Sequence, residues 1–411
     1  MHYSESFIKG VWKGFKTIFT RNAILIICVN IIYTYCNNIQ SGLRGLVATK
    51  ELGFPASIIG TAISVSMFMQ IVCNSPAGMI ADNLRNKIKY FLIATILIEL
   101  VDILAFNFIN NRTGYYFLFF CDGIVDSLAT TLIPVVLALM VDRKAMGRAF
   151  AIMQGISVAI TATAKQAAIT TYNNKGLFSA LMLAVILLLI AAFLCFLLDD
   201  KKISEAKDSR ELEHTLAKKK KAGLLLEMIP ICLGLTAAHT TFNFDISFMP
   251  IYADKYDIPY LDISSVGGII QGVSGVIVGV LCDFISPAIF LSVGIFGLGA
   301  CYIGMAMVEN VSLVRFSYLM IYLFRNTINI GRILGMQMVS KSEHGAFNGT
   351  YATCNGIIST IFSALLGFSI DWFGYMKTLR IMSAWVYCAL MLFIGAYLNT
   401  IRKQNKKNKT I

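Results

Sequence analysis

Apolar residues run along this 411-residue chain in blocks with short polar breaks between them. A bilayer core of roughly 30 Å takes about 20 apolar residues per helical span, and blocks of that length recur from residue 22 almost to the end. Twelve are predicted, at 22–46, 56–80, 88–109, 115–140, 149–172, 177–198, 224–251, 263–285, 288–307, 314–339, 346–369 and 376–400. One connection is long. Residues 199–222 are polar and charged and carry no apolar face, so they read as a solvated linker. The pattern predicts an all-α integral membrane protein with a six-helix bundle over 1–198, the linker over 199–222, and a second six-helix bundle with a basic tail over 223–411.

Composition agrees and narrows the class. Hydrophobic residues make up 57% of the chain and charged residues only 14%, too apolar a balance for a soluble globular protein. The net charge of +12 raises the possibility of nucleic acid as a partner. It is better explained by topology, because cytoplasmic loops retain Lys and Arg. Lys9, Lys13, Lys16 and Arg21 precede the first span, Lys218 to Lys221 lie in the linker, and Arg402 to Lys409 close the chain. Both termini are therefore expected on the cytoplasmic side of the cell membrane, with lipid and no nucleic acid as surroundings. The first apolar block has the length of a span and no small-residue cleavage signature, so no removable signal peptide is expected.

Candidate enzyme chemistry is sparse. The ten cysteines include no C-x-x-C pair, and His2, His214, His239 and His344 never come within helical reach of one another. No phosphate-cradling loop occurs. No metal, cofactor or catalytic residue is expected.

The chain repeats itself. "PAGMIADNLRNK" (76–87) closes the second span, and "GVLCDFISPA" (279–288) closes the eighth; Gly279, Leu281 and Asp283 stand where Gly78, Ile80 and Asp82 stood. The same displacement lays "MGRAFAIMQGIS" (146–157) on "FNGTYATCNGII" (347–358), pairing Gln154 with Asn355 and Gly155 with Gly356. A duplicated six-helix unit explains a shared offset at matching places.

On these features the whole chain resembles the major facilitator superfamily, two pseudo-symmetric six-helix bundles joined by a cytoplasmic linker. The loop after the second span fits the family pattern at Gly78, Ile80, Ala81, Asp82 and Lys87; Asn83 replaces the customary Arg, and Arg85 and Asn86 replace a Gly-Arg pair. The resemblance implies a gating latch. Asp82 is expected to meet the positive N-terminal end of the eleventh span near Gly345, and Asp283 that of the fifth near Ala149, with Gly78 and Gly279 permitting close approach. Gly268, Gly272, Gly275 and Gly279 form a stripe on the eighth span, as do Gly345, Gly349 and Gly356 on the eleventh, and both read as sliding surfaces.

Ionisable residues within spans are costly and so informative. Asp122 and Asp126 stand four apart on the fourth span, Lys165 lies on the fifth, His239, Asn243 and Asp245 on the seventh, Gln271 on the eighth and Arg325 on the tenth. Glu99 and Asp102 on the third span are expected to face inward or near the fourth. The first span carries Tyr33, Tyr35, Asn37, Asn38 and Gln40. The resemblance implies that the first, fourth, seventh and tenth spans line a central cavity. Asp122, Asp126, Lys165, His239, Arg325, Asn38 and Gln271 are then the candidates for solute binding or coupling. Lys165 has a plainer alternative, an ion pair with Asp122 or Asp126. Arg325 shows no evident mate at its depth in its own half, which marks it as a candidate anion anchor or, where the aspartates hold a cation, as a gate or counter-charge.

The leading reading is a monomeric permease, a secondary active transporter moving a small organic solute by alternating access, with the proton as coupling ion. Multidrug or antibiotic efflux by proton antiport is the alternative. It lacks two family features, since Phe119 stands where an Arg would precede Gly123 and "GISVAITATA" (155–164) has no G-P pair. A non-transporting membrane sensor or scaffold is the remote alternative.

Overall fold

The computed structural model describes residues 20–83, 87–140, 146–199, 222–281, 286–338 and 344–409. Every regular element among them is a helix: α1 (Arg21–Lys50), α2 (Ala56–Asn83), α3 (Ile88–Phe106), α4 (Arg112–Met140), α5 (Met146–Phe196), α6 (Ala222–His239), α7 (Phe242–Ser247), α8 (Met249–Lys255), α9 (Tyr260–Leu281), α10 (Pro287–Met305), α11 (Val311–Met338) and α12 (His344–Lys409). Among the described residues, six helical stretches are long and apolar enough to cross a membrane.

Local chemistry sets the helix ends. Thr20 Oγ1 accepts the Ala23 N–H at 3.3 Å, Asn111 Oδ1 the Gly114 N–H at 2.7 Å and Asn310 Oδ1 the Leu313 N–H at 3.0 Å. Each satisfies a first-turn donor that has no partner within its helix. Pro287 opens α10, where its missing N–H costs nothing. Two long helices change direction at glycine: Gly176 in α5 (φ 81°, ψ 174°) and Gly374 in α12 (φ 74°, ψ 169°). Only glycine takes such angles without strain, and both fall in the gaps predicted at 172–177 and 369–376.

The single span expected at 224–251 is instead three pieces, α6, α7 and α8. Two causes lie in the sequence. The Thr240 and Thr241 hydroxyls turn back onto the carbonyls of Ala237 and Ala238, at 2.9 and 2.8 Å, competing with the helical ladder. Pro250 has no N–H to continue a helix through Phe248. Side chains from elsewhere add further donors to the buried carbonyls at the break: Trp385 Nε1 donates to Ala237 O at 2.8 Å, and the Tyr302 hydroxyl to Thr241 O at 3.2 Å. A broken helix is tolerated at membrane depth only when its backbone is satisfied in this way.

The chain divides into two compact units, Met1–Leu43 with Met69–Thr215, and Arg44–Phe68 with Leu216–Ile411. In the first, α3 packs against α4 and α5, around Leu92, Ile96, Ile103, Leu132, Ala184 and Leu188, each 1% exposed or less. Val101, Phe117, Phe193 and Phe196 stay exposed by more than half, as side chains facing lipid would.

In the second unit, α6 packs on α12, α10 on α11 and α12, and α9 on α11. Its core is aromatic, with Phe242, Phe244, Phe248, Tyr252, Tyr302 and Tyr318 buried. This unit also holds the last turns of α1 and the first half of α2. Asp371 accepts the Ala56 N–H at 2.9 Å and the Ser57 N–H at 2.8 Å, capping α2 with a carboxylate from α12. Ser64 Oγ donates to Thr360 O at 2.6 Å, and Lys50 pairs with Asp254 at 2.6 Å. Gly60 lies so close to α12 that a Cβ there would sit 2.3 Å from Ser363 O and 3.0 Å from the Gly367 backbone.

Of the glycine stripe expected on the eighth span, Gly268 is buried. Gly272 has open space around it and Gly275 is exposed. The tight glycine is Gly267, where a Cβ would meet the Tyr322 ring at 2.3 Å.

Candidate functional site

In the first unit, three helices enclose a cavity of about 340 Å³. Asn30, Tyr33, Thr34, Asn37 and Asn38 come from α1, at intervals that place them on one helix face. Asp126, Ala129, Thr130, Ile133 and Pro134 come from α4, and Ser157 and Thr161 from α5.

Asp126 organises the polar wall. Its Oδ1 accepts from Tyr33 Oη at 2.8 Å and Asn37 Nδ2 at 2.7 Å, and its Oδ2 accepts from Gln70 Nε2 at 3.2 Å. Asn30 Nδ2 donates to Ser157 Oγ at 2.8 Å, tying α1 to α5. Asn38 Nδ2 turns back to Thr34 O at 2.7 Å. Among the described residues the lining thus offers amides, hydroxyls and one carboxylate, with apolar patches at Ala129, Ile133 and Pro134, and no Lys, Arg or His. Such a surface can match several hydrogen-bonding groups on a neutral or cationic solute and disfavours an anion.

Asp122, four residues from Asp126, has a different setting. It is 5% exposed and lies with Glu99 and Asp102 so that one oxygen of each falls within 4.8 Å of the others. Gln40 Nε2 donates to Asp102 Oδ2 at 2.9 Å. The expectation that Glu99 and Asp102 face inward or near the fourth span holds. Lys165 is 2% exposed and lies against Gly42, where a Cβ would stand 3.5 Å from its Cγ.

The second unit has its own polar cluster. Arg325 Nη1 donates to Asp245 Oδ2 at 3.3 Å, with side-chain exposures of 21% and 6%. The other Asp245 oxygen accepts from the Tyr318 hydroxyl, and Tyr318 and Tyr322 share a hydrogen bond at 3.0 Å. The guanidinium carbon lies 4.5 Å from the centre of the Phe242 ring, within cation–π range. The expectation that Arg325 lacks a mate in its own half is therefore corrected: Asp245, on α7 beyond the helix break, is that mate. His239 ends α6 with its ring edge on Phe242, 5.2 Å between centres, beside Asn355. Asn243 donates to Ser363 Oγ at 2.8 Å. Gln271 is buried in α9.

Of the gating residues, Lys87 is exposed at the N-cap of α3. The side chains of Gly78, Asp82 and Gly279, and the whole of Asp283, lie outside the described residues, as do the side chains of their expected targets Ala149 and Gly345.

Several residues of the site were not singled out from sequence: Asn30, Thr34, Ser157 and Thr161 in the lining, and Gln70, which bonds Asp126. Asn30, Thr34 and Asn37 recur at four and three residues along an apolar span, a polar stripe that could have flagged them. Gln70 carries no such signal.

A family model described as Major Facilitator Superfamily matches residues 26–336. No relative among curated proteins matches the chain. Among solved structures, the nucleoside transporter NupG is 12% identical, with a TM-score of 0.70 over 92% of this chain and 99% of that one. A D-xylose–proton symporter is 13% identical, with a TM-score of 0.66 over 90% and 96%. The inward-open xylose transporter XylE from E. coli is 13% identical, with a TM-score of 0.68 over 90% and 94%. At such identity these structures speak for the fold. The family match covers most of the chain, and this multi-pass membrane protein, a transporter and not an enzyme, belongs to the Major Facilitator Superfamily.

Proposed function

We propose that the chain is a secondary active transporter for a small, polar, uncharged or cationic organic solute, driven by protons. The observation that carries this reading is the cavity around Asp126, whose amides and hydroxyls converge on one carboxylate and whose lining, among the described residues, contains no cation. A carboxylate within a span is a natural proton carrier. Asp126 is favoured over Asp122 for that role because Asp126 opens to the cavity. Nucleosides and pentoses are the first solutes to test, since the structural neighbours include a nucleoside transporter and a D-xylose–proton symporter.

Twelve spans follow if the kinks at Gly176 and Gly374 separate consecutive spans and α6, α7 and α8 together make one. The bundles are then 1–198 and 223–411 with the linker at 199–222, in the cell membrane, with both termini cytoplasmic and the monomer as the working unit. In that orientation the contacts of residues 44–68 with α7, α8 and α12 lie on the outer side. They seal it in one state and part in the other, as alternating access requires.

The test is uptake into proteoliposomes under an imposed proton gradient, across a panel of nucleosides, pentoses and organic cations. Wild type should accumulate at least one solute, and Asp126→Asn should abolish accumulation while retaining exchange. Wild type that neither accumulates nor exchanges any member would overturn the reading.

A further inference from the structure

We propose that Asp245 sets charge selectivity: it neutralises Arg325 and holds it on Phe242, so that Arg325 is not offered as an uncompensated cation to a carboxylate-bearing solute. The inference takes its meaning as selectivity from the transporter reading above.

The geometry separates the two charges by exposure. Arg325 keeps 21% of its side chain exposed and Asp245 only 6%, so the carboxylate stands behind the guanidinium on the buried side. Asp245 is fixed there twice, by Arg325 Nη1 at 3.3 Å and by the Tyr318 hydroxyl, which is itself bonded to Tyr322. The guanidinium is fixed twice as well, by Asp245 and by the face of Phe242. Remove the negative charge while keeping the shape, and what remains is a half-buried guanidinium on an aromatic ring. A guanidinium released in this way recognises a carboxylate, which its planar fork takes in two-pronged fashion.

Benzoate and its neutral analogue benzamide are matched probes. With purified full-length protein in detergent, benzoate should not raise the apparent melting temperature of wild type above the effect of benzamide. In Asp245→Asn, benzoate should bind about tenfold or more tightly than in wild type, the effect of restoring one charge contact. The double variant Asp245→Asn with Arg325→Gln should lose that gain. Benzoate binding by wild type that Arg325→Gln removes would overturn the proposal, as would folded Asp245→Asn with no preference for benzoate over benzamide. Asp245→Ser is the second variant. Should neither single variant elute as folded protein, the carboxylate is required for folding and the selectivity role is rejected. Because the readout is binding, a failure of solute accumulation in proteoliposomes leaves this result standing on its own.

Discussion

Tyr33 on α1 donates its phenolic proton to Asp126 on α4 across 2.8 Å. Asn37, one turn further along α1, reaches the same oxygen at 2.7 Å. Two donors on one oxygen hold the carboxylate in a single orientation at the cavity wall. Tyr33→Phe removes one of them and leaves the ring, at a stability cost of about 1 kcal/mol. Under the proposed function it should weaken solute affinity roughly three- to tenfold without changing the amount of folded protein. A variant with unaltered affinity, measured by solute-dependent thermal shift, would show that the phenol is only structural.

Occupying the cavity is a separate test. Thr130 lines it and is exposed, and its hydroxyl turns back to Asp126 O at 2.6 Å. Thr130→Phe projects a ring into the space without disturbing the buried core. Transport should fall at least tenfold, with a melting temperature close to that of wild type. Normal transport in this variant would move the solute site elsewhere.

Asp371 caps α2 from another helix, so its loss should be felt at Ala56 and Ser57. A carboxylate cap contributes roughly 1 kcal/mol, which corresponds to about a fivefold change in a two-state equilibrium. Asp371→Ala should speed amide hydrogen exchange in the first turn of α2, and Asp371→Asn, which keeps one acceptor, should do so less. Equal exchange in all three proteins would mean that the cap does not hold this contact closed in the membrane protein in solution.

Gly267→Ala places a methyl into the Tyr322 ring, and Tyr322 supports Tyr318 and through it Asp245. Overpacking of this kind costs about 1–3 kcal/mol. Replacing Tyr322 by Leu in the same chain should recover most of the loss, a coupling that a double-mutant cycle in thermal stability would measure. Additive losses would place the strain elsewhere.

The all-helical class was legible because a bilayer demands apolar runs of fixed length, and the turns at Gly176 and Gly374 fall where those runs pause. The interruption at Thr240 and Thr241 was not. Residues 239–247 carry several polar side chains but no glycine or proline to mark a turn, and what permits the break is Trp385 and Tyr302, distant in sequence. The same feature hid the mate of Arg325, because levels counted along an unbroken helix misplace Asp245. Asp126 stood out as a carboxylate in an apolar run, and Tyr33, Asn37 and Asn38 as a polar cluster. Sequence alone did not join them, since their meeting depends on how α1 and α4 are rotated against each other. Asp122 and Asp126 show the reverse limit. Four residues apart, they share a helix face, yet one lies among carboxylates and the other opens to a cavity.

The interruption between α6 and α7 also determines how this stretch can move. A continuous helix flexes by small degrees, with every rung of its ladder stretching a little. Here two carbonyls are held by an indole on α12 and a phenol on α10, and each attachment is either made or lost, at about 1 kcal/mol apiece. Asp245 lies on the six-residue piece beyond that joint, so the indole and the phenol act as guy-ropes on its carboxylate as well as on the backbone.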